Sequence, residues 1–155
     1  MATAVRPLLL FAYCIIWLAG PAAARTVAID DSGTLPYNAA FAMHWRTVTP
    51  RGGAATEMIG TAQLRVRLNV APWLRHSGHI YLVLPAQQPG AINAVWTTQG
   101  RLLPGRVSAG SRTLVYSGPI TAAFIEDEVQ LTIVVDGRRM SQGYQVNFRF
   151  EMDED

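Results

Sequence analysis

The chain has 155 residues, half of them hydrophobic, with 13 basic and 11 acidic side chains and a net charge of +2. That length points to one domain, and a lone cysteine excludes a disulfide framework within the chain. Every basic residue is arginine, and the net positive charge is modest, a weak basicity that suits contact with an anionic surface such as a lipid headgroup layer or an acidic glycan.

The N-terminus has the order of a secretory signal peptide. Arg6 precedes an uncharged stretch from Pro7 to Gly20, and Ala22-Ala23-Ala24 supplies the small residues read at the cleavage point. Cleavage is expected after Ala24, so residues 1–24 are assigned to the signal peptide. The apolar stretch is shorter than the ~20 residues of a membrane-spanning helix, which argues against a retained anchor. Cys14 follows Phe11-Ala12-Tyr13 instead of the small residues of a lipidation site, so it belongs to the apolar region that is removed. The remaining chain of about 130 residues holds no cysteine and can bury about two-thirds of the surface its unfolded form exposes. The expected location is the periplasm or the exterior, with no transmembrane segment after cleavage and no nucleic-acid partner.

Residues 25–40 read as an extended lead-in, because Asp30–Asn38 is dense in turn formers. Phe41, Met43 and Trp45 then alternate with Ala42, His44 and Arg46, the period-2 pattern of a half-buried strand, until Pro50-Arg51-Gly52-Gly53 breaks it. Ala62, Leu64, Val66, Leu68 and Val70 alternate with polar partners over nine residues. Ser77-Gly78 is expected as a turn into the strand His79–Leu84, and Gln87–Gly90 as a loop. Further strands are expected at Ile92–Trp96, Thr113–Tyr116, Val129–Val135 and Tyr144–Glu151, with one helical turn near Thr121–Asp127. The sum is an all-β chain: an Ig-like two-sheet antiparallel sandwich of about seven strands over residues 41–152, followed by an acidic tail at 153–155. Several strands fall short of the roughly ten residues that cross a bilayer in a membrane β-barrel.

Chemistry-bearing patterns are sparse. His76 and His79 flank Ser77-Gly78, and with His44 from a neighbouring strand they form the one metal-ligand set the sequence offers. Ser77 beside His76 lacks the setting of an activated nucleophile, no Gly-x-Ser-x-Gly elbow exists, and Glu126-Asp127-Glu128 reads as a polar turn. No enzymatic activity and no cofactor are expected. Trp45 and Trp96 are in register with apolar neighbours and are expected in the core. Trp73 follows Pro72 in a connection beside Arg75; together with Tyr81 they are the expected binding residues. The short apolar lead-in Thr26-Val27-Ala28-Ile29 is expected to pair with its own domain, or with another copy. The expected role is a non-enzymatic module contacting another envelope protein. The alternatives are a module binding a glycan or other ligand through Trp73, Tyr81 and Arg75, and a histidine-based metal binder.

Overall fold

A computed structural model describes residues 25–36, 42–46, 56–86, 92–139 and 146–154. The expected signal peptide, Cys14 included, lies outside the described residues, as do Phe41, the Pro50–Gly53 break, the Gln87–Gly90 loop and Tyr144. No helix among the described residues is long and apolar enough to cross a membrane.

Among the described residues, ten strands form two antiparallel sheets: β1 (Thr26–Ala28), β2 (Leu35–Pro36), β3 (Ala42–Trp45), β4 (Glu57–Asn69), β5 (Ser77–Leu84), β6 (Ile92–Thr98), β7 (Gly105–Ser108), β8 (Ser111–Pro119), β9 (Phe124–Asp136) and β10 (Arg149–Glu154). One sheet runs β1-β10-β5-β8 and the other β2-β4-β9-β6-β7, with β3 also paired to β4. The two-sheet antiparallel sandwich expected from strand spacing is what the chain forms. Strand order specifies it more closely than the Ig-like label does. From β1 through β4, β5 and β6, then from β7 through β8, β9 and β10, the chain changes sheet at each step. That is the double Greek key of a jelly roll, with β2 and β3 added beside β4.

The alternating residues meet between the sheets. Val66 and Leu68 of β4, Ile125 to Val135 on alternate positions of β9, and Ile92, Ala94 and Trp96 of β6 face Ile80, Leu82 and Leu84 of β5 and Phe150 and Met152 of β10. Each fully buried aliphatic side chain stabilises the fold by about 1.5–3 kcal/mol. Trp96 is buried as expected, its indole N–H donating to the Leu103 carbonyl at 2.9 Å. Trp45 is not: it is 45% exposed. It sits on the edge strand β3 opposite Met58. It lies over Gly137, where an added Cβ would come within 2.6 Å of the ring. An edge strand has a neighbour on one side only, so alternation there does not guarantee burial.

Local expectations shift at the strand ends. The lead-in pairs with its own domain as β1, in register Thr26 with Asp153. The acidic tail is not a tail, because Asp153 and Glu154 complete β10. Ser77 and Gly78 open β5 and pair with Pro119 and Gly118, so they form no turn. The segment near Thr121–Asp127 contains no helix, since β9 begins at Phe124 and pairs thirteen residues with β4. Long β4–β9 pairing outweighs the weak helical preference of a short polar segment.

Glu126-Asp127-Glu128 is accordingly a strand segment, with alternate residues on opposite faces. Glu126 and Glu128 point out toward Arg67 and Arg65. Asp127 points in and is buried. Its Oδ1 accepts the backbone N–H groups of Gln99 (3.2 Å) and Gly100 (2.8 Å), and Oδ2 accepts that of Leu102 (2.7 Å). A carboxylate with three donors is satisfied, which is what allows it inside.

Candidate functional site

One end of the sandwich carries a turn whose local structure follows from its residues. Asn69 Oδ1 accepts the Ala71 N–H at 3.2 Å as the strand β4 ends. Ala71–Trp73 makes one 3₁₀ turn with Pro72 in its opening positions, where a missing N–H and a fixed φ cost nothing. Trp73 then folds inward. It is 8% exposed, and its indole N–H donates to Glu154 Oε1 at 2.6 Å. The exposure expected for Trp73 is therefore corrected: its large ring closes the end of the core, and the terminal acid of β10 satisfies its polar edge.

With Trp73 anchored, the next three residues are presented outward. Leu74 has φ −54° and ψ 133°, and Arg75 has φ +70°. His76 N–H donates to the Trp73 carbonyl at 3.1 Å. These are the marks of a type II turn, whose third position requires positive φ and is normally glycine. Here it is arginine. A left-handed conformation costs a side-chain-bearing residue about 1–2 kcal/mol. The turn is fastened on its other flank as well, since Arg75 N–H donates to the Ile120 carbonyl (2.9 Å) and Ile120 N–H to the His76 carbonyl (2.8 Å).

Leu74 is 39% exposed, and Arg75 and His76 are exposed with it. No carboxylate among the described residues pairs with Arg75. The same end carries Phe124, 41% exposed, with the Arg67 guanidinium 4.0 Å from its ring centroid. Val70 N–H to the Ala123 carbonyl (2.9 Å) ties the two segments together. A rigid backbone thus displays an apolar side chain and an unpaired guanidinium, with a second apolar and cationic pair on the adjoining segment. Guanidinium forks recognise carboxylates, and exposed apolar anchors recognise apolar surface on a partner.

The other predicted residues are dispersed. Tyr81 lies on the outer face of the four-stranded sheet, under the Arg112 guanidinium at 4.2 Å from its ring centroid. Arg112 reaches on to Asp153, at 3.1 Å to Oδ1 and 3.0 Å to Oδ2. Thr26 Oγ1 donates to Asp153 Oδ1 at 2.6 Å. The Thr26 hydroxyl, reinforced by Arg112, holds the Asp153 carboxyl below its usual range, and the same pairing raises Arg112. Trp73 is buried and the half-buried Tyr81 ring lies under Arg112, so of the expected Trp73–Arg75–Tyr81 group only Arg75 stands exposed.

The histidines are also apart. His44 faces outward from the six-stranded sheet on β3, His79 faces outward from the four-stranded sheet on β5, and His76 stands on the turn. The whole sandwich separates His44 from His79. Among the described residues, no three histidine, cysteine or acidic side chains gather as a metal site.

The left-handed arginine escaped sequence reasoning because positive φ is normally signalled by glycine or asparagine, and Leu74-Arg75-His76 holds neither. The Trp73–Glu154 bond joins residues far apart in sequence and leaves no local trace. Comparison with known family models, curated proteins and solved structures finds no match.

Proposed function

We propose that this chain is exported, with cleavage after Ala24, and acts in the periplasm or outside the cell as a non-enzymatic sandwich module that binds another protein. Its contact centre is the Trp73–His76 turn, flanked by Phe124. The sequence order of Arg6, the uncharged Pro7–Gly20 stretch and Ala22–Ala24 supports export. The observation that carries the binding role is Arg75 at the glycine position of a type II turn. Strain held at an exposed residue is a pointer to use. Leu74 and Phe124 supply apolar anchors, and Arg75 supplies a directed cation for a carboxylate on the partner.

The test is crosslinking in intact native cells followed by purification of the mature chain. Wild type should retain one partner in near-equal amount. Leu74→Asp should reduce that yield at least tenfold. Arg75→Gly should also reduce it while leaving the folded chain as stable or more so. Absence of a reproducible partner, or retention unchanged by both substitutions, would overturn the proposal.

A further inference from the structure

The inner faces of the two sheets do not fill all the space between them. A cavity of about 240 Å³ is lined by Leu64 and Val66 of β4, Val129 and Leu131 of β9, Trp96 of β6 and Leu82 of β5. Its position follows from how the sheets are joined. On the β7–β8 side they are stitched by main-chain bonds, Leu103 N–H to the Val115 carbonyl at 2.7 Å and Gly110 N–H to the Leu84 carbonyl at 2.8 Å. On the other side the segment after β1 and the segment before β10 border the cavity, through Asp31, Thr34 and Asn147. Among the described lining residues these three are polar; the rest are aliphatic or aromatic.

Size and chemistry restrict the occupant. An engineered apolar cavity of about 150 Å³ admits benzene and stays dry without it. The present volume is about 1.6 times as large. Scaled from the six carbons of benzene, it matches an apolar body of about eight to ten carbons. Water gains little there, because an apolar wall gives it no hydrogen bonds. The border sets the head group. Asp31 is half-buried, and no cation among the described residues pairs with it. Its carboxyl lies above the usual range, first because burial disfavours the charged form and further because Asp30 is adjacent. Such a carboxylate welcomes a cation or a hydrogen-bond donor and repels an anion. Asn147 adds an amide able to donate or accept.

We infer that the inter-sheet cavity is a binding site for a small amphiphile with an apolar body of about eight to ten carbons and a cationic or hydroxyl head placed at Asp31. An amine or alcohol fits; a carboxylate does not. The site is independent of the Trp73–His76 turn, since no residue of that turn lines it.

The experiment titrates the purified mature chain at pH 7 with octylamine, octan-1-ol and octanoate, followed by Trp96 fluorescence and by calorimetry. Trp96 lines the cavity, so occupancy alters its surroundings, and Trp45→Phe removes most of the exposed-indole background. Octylamine and octanol should bind saturably at one site per chain, and octanoate at least tenfold more weakly. Asp31→Asn should weaken octylamine at least fivefold and bring octanoate level with octanol. Val129→Leu and, separately, Val115→Leu should each reduce binding of all three by filling the cavity, and at least one of these small aliphatic changes should leave the chain folded. Absence of saturable binding would overturn the inference and would mean that the space is closed to solutes, for instance by another segment of this chain. Octanoate binding as tightly as octylamine, with no response to Asp31→Asn, would overturn the head-group assignment.

Discussion

Removing the Asp127 carboxylate should cost more stability than any other single polar substitution described here. In Asp127→Ala, the Leu102 N–H is left buried with no acceptor, a penalty of about 1–3 kcal/mol. Because the acceptor is a charged carboxylate, the loss lies toward the upper end of that range. The Gln99 and Gly100 N–H groups are only part-buried and regain water, so they add little. The expected loss is about 2–3 kcal/mol. Urea unfolding followed by far-UV circular dichroism measures it. At an m-value of about 2 kcal/mol/M, the midpoint falls by about 1–1.5 M with the slope unchanged. Asp127→Asn can turn its amide oxygen to the Leu102 N–H and its NH2 toward the part-buried Gln99 and Gly100, which regain water, so about half the loss is expected. Gly100→Ala probes the same clamp from the other side. Its Cβ would stand 3.0 Å from Asp127 Cγ and Oδ1, which forces the carboxylate to move. Combined with Asp127→Ala it should cost less than the two changes added, because the shared contact is already gone. An Asp127→Ala chain within about 0.5 kcal/mol of wild type would refute the clamp.

Trp73→Ala should destabilise the fold by about 3–5 kcal/mol in the same assay, and Trp73→Phe by about 1–2 kcal/mol through the lost bond to Glu154. An unchanged unfolding midpoint for Trp73→Ala would contradict its burial. Asp136 accepts from Arg138 Nε, Nη2 and backbone N–H, and these bonds lower its carboxyl to about 2. Because the folded value lies below the unfolded one, its contribution to stability is present above about pH 4 and is lost as pH falls toward 2; carbon-detected NMR titration of Asp136 in wild type and Arg138→Gln should show the midpoint rising in the variant. Asp31 has the opposite sign, a folded carboxyl raised by burial, so it destabilises the fold once it ionises. Asp31→Asn should raise the unfolding midpoint at pH 7 and leave it unchanged at pH 3. Arg75→Gly should raise stability by up to about 1 kcal/mol, the relieved left-handed strain exceeding the backbone entropy of glycine.

What the sequence determined on its own is the face each strand buries. Side chains alternate strictly along a strand, so Ala62 to Val70, Ile92 to Trp96 and Val129 to Val135 declared their inward sets without any knowledge of their neighbours, whereas the last expected strand pairs only from Arg149, with Val146 and Phe148 packed on the core from the segment before it. The same logic, extended to Trp45, failed where the strand lies at a sheet edge, because burial needs a covering layer that alternation cannot supply. Strand order, the joining of Asp127 to Gln99–Leu102, the Trp73–Glu154 bond and the left-handed Arg75 were decided by the tertiary structure alone. Each depends on groups distant in sequence arriving at one point, and pairing distances of that kind leave no periodic signal. The cavity belongs with them. It is the space that remains after two independently patterned faces meet, and no single strand encodes how well the other will fill it.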